Sequence, residues 1–155
     1  MSSSFDAINE DNTQCHYPFS ASENGAPLRI LLVDDQELNR TLVASMLKDM
    51  GYSLEVSENG KEAVSKWENG SFDLILMDIN MPIIDGIEAP WIIRNHEKDR
   101  GDYTPIIAFS ADFDKEDSGE YSSLGFDGFV RKPLILPTLI QEINRCIPLR
   151  RPKLA

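Results

Sequence analysis

Residues 72–86 read FDLILMDINMPIIDG, and the fold turns on how the apolar run 74–77 is taken together with the acid that ends it, Asp78. Four consecutive apolar residues do not alternate, so the run suits a strand covered on both faces better than one with a wet face. A carboxylate at the end of such a strand has two readings. It forms an Asx-type turn ahead of Met81 and Pro82, or it does chemistry.

Similar runs recur on either side, as LRILLV (28–33), SLEVS (53–57), TPIIAFS (104–110) and DGFV (127–130). Segments of helical period lie between them. Leu38, Leu42, Val43, Met46, Leu47 and Met50 share one apolar face, with Gly51 where a helix would stop. Ala63, Val64 and Trp67 form a second face closed by Asn69 and Gly70, and Leu136, Leu139, Ile140, Ile143 and Ile147 form the last. Residues 85–96 predict a helix that contains Pro90, which costs roughly 3 kcal/mol or kinks the helix if it falls in the interior. Residues 112–124 are polar and contain Gly119, which predicts a short, mobile helix. Five strand-then-helix units imply an α/β fold, a parallel sheet with helices on both faces.

Bulk composition narrows the function. With 155 residues, 41% of them hydrophobic, the chain can bury one core. It carries 26 Asp+Glu against 15 Lys+Arg, a formal net charge of -11, which argues against direct nucleic-acid binding through clustered Lys and Arg. Cys15 and Cys146 match no metal spacing and read as free thiols of a reducing compartment. No apolar run is long enough for a membrane span and residues 1–11 lack a signal pattern, so a cytoplasmic location without membrane contact is expected. Residues 1–27 carry four acids (Asp6, Glu10, Asp11, Glu23) and no Lys or Arg, and are expected to be a disordered acidic tail or linker. The domain is expected over 28–149, with a short basic tail at 150–155.

Ligands of an open parallel sheet bind beyond the carboxyl ends of its strands. By that rule Asp34 and Asp35 after the first strand, Asp78 after the third, Ser110 after the fourth and Lys132 after the fifth share one rim. Each has a plainer role available: Asp34 or Asp35 as helix cap, Ser110 as N-cap, Lys132 as a solvated surface lysine. Three neighbouring carboxylates nevertheless raise one another's pKa unless a cation sits among them, and an all-oxygen set suits magnesium. Asp78 then becomes a nucleophile toward a phosphoryl group. Lys132 and the Ser110 hydroxyl would neutralise phosphoryl oxygens.

LLVDDQELNR, LILMDINMPIIDGIEA, IIAFSA and FVRKPL, in this order and spacing, resemble the receiver domains of two-component response regulators. The resemblance runs from about Leu28 to Ile147 and implies the strand order 2-1-3-4-5. It implies that Asp78 is the phosphoacceptor and that Asp35, Asp78 and the backbone carbonyl of Asn80 ligate magnesium, or manganese in its place, with Asp34 acting through water. It further implies that Lys132 pairs with the phosphoryl group, that the bond to Pro133 is cis, and that Ser110 and Phe129 form the switch. Ser110 stands where Thr is frequent, and Phe129 lacks the hydroxyl of the frequent Tyr. Phe129 could equally be core packing. Asp112 adds an acid near the phosphate's solvent face, which would disfavour anionic small phosphodonors.

The expected function is a receiver in a His-to-Asp phosphorelay, a signalling phosphoacceptor rather than an enzyme. Its expected partners are a histidine kinase or histidine phosphotransfer protein, and a downstream protein target at the switch face. Only PLRRPKLA follows the last helix, so no output domain is expected. ELNR after the acidic pair also resembles receivers of hybrid histidine kinases, which makes a detached domain of that kind the near alternative. A phosphohydrolase of the haloacid dehalogenase type would place Asp-x-Asp after its first strand, whereas here DINM follows the third. A partner-binding pseudo-receiver would have no need of the intact acids, hydroxyl and lysine.

Overall fold

The buried runs pair into a five-stranded, all-parallel sheet of order β2-β1-β3-β4-β5, the order expected. The computed structural model describes residues 26–79, 88–111 and 118–151. The strands are β1 (Arg29–Val33), β2 (Ser53–Ser57), β3 (Leu74–Asp78), β4 (Ile106–Ser110) and β5 (Gly128–Arg131). The helices are α1 (Glu37–Asp49), α2 (Gly60–Asn69), α3 (Glu88–Arg100), α4 (Ser118–Ser123) and α5 (Leu136–Cys146), followed by a 3-10 turn at Ile147–Leu149. Every residue of β3 and β4 is buried, as continuous apolar runs require.

The two-residue period of each strand divides the core into two layers. Ile30, Leu32, Leu74, Leu76, Ile107 and Phe109 pack with Val43 and Leu47 of α1 and Leu139 and Ile143 of α5. Their neighbours Leu31, Val33, Ile75, Met77, Ile106 and Ala108 pack with Ala63 and Trp67 of α2 and Ala89 and Ile93 of α3. A one-residue slip of any central strand would exchange the two sets.

Local chemistry sets the helix ends. Asn59 accepts a hydrogen bond from the Glu62 amide at 2.8 Å, while Glu62 accepts one from the Glu58 amide at 2.6 Å, a reciprocal cap that opens α2. Gly51 closes α1 with φ 100, a left-handed value suited to glycine. The kink or cost at Pro90 is expected only if that residue falls in the interior of the helix, and residues 80–87 before the described start lie outside the described residues. Within the described span Pro90 is the third residue of α3, a first-turn position at which a proline's missing amide has no intrahelical acceptor to lose. The expected face of α1 needs correction. Its buried stripe is Val43, Ala44 and Leu47, whereas Leu38 and Leu42 are 80% and 58% exposed. Leu38 lies five residues before Val43, about 140° around the helix. Of the segment expected to be helical at 112–124, α4 is the described part; residues 112–117 lie outside the described residues.

Edge strand β5 is held from outside. Glu142 of α5 accepts the Phe129 amide at 2.9 Å and is itself held by Arg145 at 2.8 Å. The two contacts from Arg145 and Phe129 bring its carboxyl below the usual range against an opposing desolvation. A Cβ on Gly128 would lie 2.6 Å from Glu142 Oε2 and 2.9 Å from Cys146 Sγ. Gly128→Ala should therefore cost about 1–3 kcal/mol by overpacking, read by urea denaturation. An unchanged midpoint would show that α5 has room to yield.

Candidate functional site

The sheet order alone lines up the rim. β1 lies beside β3, β3 beside β4 and β4 beside β5, with Asp78 in register with Phe109 and Ser110 in register with Arg131. Asp34 and Asp35 follow β1, and Lys132 follows β5. The structure therefore brings Asp34, Asp35, Asp78, Ser110 and Lys132 to one end of the sheet. Asn80, Asp112 and the turn at Met81 and Pro82 lie outside the described residues.

One carboxylate oxygen from each of Asp34, Asp35 and Asp78 lies within 4.8 Å of the other two. Lys132 Nζ donates to Asp78 Oδ2 at 3.0 Å, and its own amide donates to the Ser110 carbonyl at 2.9 Å. The Lys132-Pro133 peptide bond is cis. Asp34, Asp78 and Ser110 are buried, while Asp35 is exposed.

Asp34 does not cap α1, whose N-cap is Gln36; the Gln36 side chain makes no capping bond to the helix backbone and instead accepts from Asn39 Nδ2 at 2.8 Å. Asp34 Oδ1 accepts the Gln36 amide at 2.9 Å. Its Oδ2 is buried without a hydrogen-bond partner among the described residues. Burial raises the Asp34 pKa, and the nearby charges of Asp78 and Asp35 raise it further, against the Gln36 amide and Lys132. Three acids thus face one ammonium, and one buried oxygen lacks a partner. A hard divalent cation fits both facts, because it prefers oxygen ligands and removes the mutual repulsion.

Phe129 is half-buried in an aromatic cluster, its ring centroid 5.6 Å from Tyr121 and 6.3 Å from Phe126. Two features were not anticipated. Arg40 of ELNR donates to the Asp34 carbonyl at 2.8 Å, fixing the backbone of the acidic pair from the first turn of α1. A cavity of about 160 Å³ beside the rim is lined by Leu42, Met46, Phe109, Lys132 and Leu134 among others. The exposed apolar positions of α1 carried that signal, but periodicity alone assigned them to the core.

Comparison with known proteins places this geometry in context. The family model for the response regulator receiver domain matches residues 30–144. Hybrid signal transduction histidine kinase I of Dictyostelium discoideum is 36% identical over 122 residues, a match covering 76% of this chain and 7% of that protein. The chain therefore spans a small fraction of that curated relative. Among solved structures, the co-crystal of the Saccharomyces cerevisiae histidine phosphotransfer protein Ypd1 with the receiver domain of its downstream response regulator Ssk1 matches with a TM-score of 0.72 and 29% identity, covering 79% of this chain and 90% of that one. The receiver domain of sensor histidine kinase PA1611 from Pseudomonas aeruginosa, with magnesium coordinated in its active site cleft, matches with a TM-score of 0.69 and 32% identity, covering 79% and 99%.

Proposed function

The chain belongs to the response regulator receiver domain family, and from that membership we propose that Asp78 accepts a phosphoryl group from a phosphohistidine. The carrying observation is the buried Asp78 carboxylate held at 3.0 Å by Lys132 beside Asp34 and Asp35. The donor is a histidine kinase or a histidine phosphotransfer protein, and the reader of the phosphorylated state is a protein docking at the switch face. The domain acts in the cytoplasm, either free-standing or as the receiver part of a hybrid histidine kinase.

Asp35 and Asp78 would hold a magnesium or manganese ion, Asp34 through water, with the Asn80 carbonyl proposed as a further ligand. When bound, the ion neutralises the carboxylates and supplies positive charge at a phosphoryl oxygen. A carboxylate oxygen of Asp78 attacks phosphorus in line. The phosphorus-nitrogen bond breaks, and its electron pair returns to the imidazole, which takes a proton. β3, buried on both faces, keeps Asp78 from recoiling, and Lys132 moves its hydrogen bond from the carboxylate to the transferred phosphoryl group. The Ser110 hydroxyl donates to another phosphoryl oxygen, and Phe129 shifts with it. The chain promotes its own phosphorylation and dephosphorylation and does not turn over phosphate esters.

Label transfer from a histidine-phosphorylated donor tests the reading: one phosphoryl group per chain, dependent on magnesium, is expected. Continuous release of phosphate from general esters would favour a hydrolase instead. Metal binding has a separate readout. At about 100-fold excess over its Kd, magnesium should stabilise the chain by about 2.7 kcal/mol, seen as a rise in the urea midpoint. Asp35→Asn should lose most of that rise. A wild-type midpoint indifferent to magnesium would remove the metal assignment.

A further inference from the structure

Asp34 and Asp35 sit in the short connection 34–36, between the end of β1 at Val33 and the start of α1 at Glu37. Asp35 is exposed, so the backbone beneath it, rather than burial, sets where its carboxylate points. The hydrogen bonds that hold this connection therefore bear on the geometry of the rim.

Asp34 is tied through its amide, its side chain and its carbonyl. The amide donates to the Ser57 carbonyl at the end of β2 at 3.1 Å, and Oδ1 accepts the Gln36 amide at 2.9 Å. The carbonyl accepts Arg40 Nη1 at 2.8 Å. The first two bonds use backbone amides, whereas the third depends on one side chain. Among the described residues no backbone amide reaches the Asp34 carbonyl, so without Arg40 it would be left to water.

Arg40 is well placed to hold it. Its own amide donates to the Gln36 carbonyl at 3.0 Å, in the first turn of α1, and it lines a groove with Ala44 of α1 and Val56 of β2. A planar guanidinium is a more directional donor than an ammonium. The direction of the Asp34 carbonyl fixes ψ of that residue, one of its two soft dihedrals, and the same dihedral sets the course of the chain into Asp35. As a charge, Arg40 has the opposite tendency: a cation near the rim repels a divalent ion and weakens its binding. The two effects of this side chain on a metal ion therefore differ in sign.

We propose that Arg40 is a positioning residue of the metal site, whose bond to the Asp34 carbonyl aims Asp35 at Asp78 and outweighs the repulsion of its own charge. This rests on the reading of Asp34, Asp35 and Asp78 as the residues that hold magnesium. Arg40 touches neither the ion nor the phosphoryl group and acts through the backbone that carries the acids.

The test is a titration of the full chain with magnesium chloride at fixed ionic strength, followed by the amide resonances of Asp35 and Lys132. Arg40→Met keeps much of the stem and removes the donor. Its dissociation constant should rise about 10-fold, as for other residues that support a metal ligand from behind. Gly128→Ala, expected to lose stability where β5 meets α5, should keep the wild-type constant. In the metal-free chain the Asp35 amide nitrogen, bonded to the same carbonyl carbon, should move upfield in Arg40→Met as the hydrogen bond is lost. Magnesium binding by Arg40→Met that is as tight as wild type, or tighter, overturns the proposal and leaves the metal site standing, because Arg40 then acts as a charge or not at all. An equal loss of affinity in Gly128→Ala overturns it as well, since general loosening would be the cause, and so does an unmoved Asp35 nitrogen. A wild type as indifferent to magnesium as Asp35→Asn removes the metal site and this proposal with it.

Discussion

Asp78→Asn should reduce phosphoryl transfer from a phosphohistidine donor to background. The amide oxygen that replaces the carboxylate carries no charge and is a poor nucleophile at neutral pH. Unfolding should not contribute to that loss. Asn fills nearly the same volume at the end of a fully buried strand, and it removes one of three carboxylates crowded within 4.8 Å. The metal-free variant should therefore be at least as stable as wild type in urea. Asp34 should also titrate lower in it, because the Asp78 charge is one of the causes that raise its pKa. Lys132→Ala is the companion variant. In the proposed mechanism it keeps the nucleophile and removes the cation that would meet developing phosphoryl charge, a loss worth about 10²–10³ in rate. Full labelling of Asp78→Asn would move the acceptor elsewhere and sink the assignment. Full-rate labelling of Lys132→Ala would reduce the 3.0 Å contact to a structural ion pair.

The rim was legible in the sequence because it obeys a topological rule. Once 74–77 and its counterparts are taken as parallel strands, Asp34, Asp35, Asp78, Ser110 and Lys132 must emerge at one end, whatever the helices do. The strand order was legible only through the family resemblance, since hydrophobic pattern does not distinguish one ordering of buried strands from another. Leu38 and Leu42 show the limit of helical periodicity. It marks an apolar stripe, but it cannot say which end of the stripe runs past the edge of the sheet toward the rim. Arg40 was invisible for a different reason: its bond goes to a backbone carbonyl, and any long donor in the first turn of α1 looks the same in sequence.

A larger omission is the polar network at the other end of the strands, built from ordinary residue types spread over 94–127, and it carries the largest expected stability effect. Arg94 of α3 donates to the Gly125 carbonyl at 2.8 Å and the Thr104 carbonyl at 2.9 Å, and to the carboxylates of Glu97 and Asp127 at 2.7 Å each. Glu97 is only 5% exposed and also accepts the Thr104 amide at 2.7 Å. Asp127 accepts the Ile106 amide at 2.9 Å and the Tyr103 hydroxyl at 2.5 Å. One guanidinium thus ties α3 to the starts of β4 and β5. Arg94→Met keeps much of the side-chain length and strands two carboxylates and two carbonyls, a loss of about 3–5 kcal/mol, against about 5–15 kcal/mol for a whole domain. The pH dependence gives the mechanism away. Burial raises the Glu97 pKa above its ordinary 4.5, and Arg94 is the main cause holding it down, so the variant's Glu97 should rise further. A carboxyl raised in the folded state binds its proton there before the unfolded chain does. Stability is therefore gained as pH falls through the raised folded value toward 4.5, and lost as pH rises through it. The deficit of Arg94→Met in urea should be largest near neutral pH and should shrink toward pH 5. Adding Glu97→Gln should recover part of it at neutral pH, because a neutral amide needs no cation. A deficit below about 1 kcal/mol, or one that neither acid nor Glu97→Gln relieves, would show that the buried charge on Glu97 is not what Arg94 stabilises. Phosphoryl acceptance per folded molecule should stay at the wild-type rate, since the network and Asp78 lie at opposite ends of the same strands.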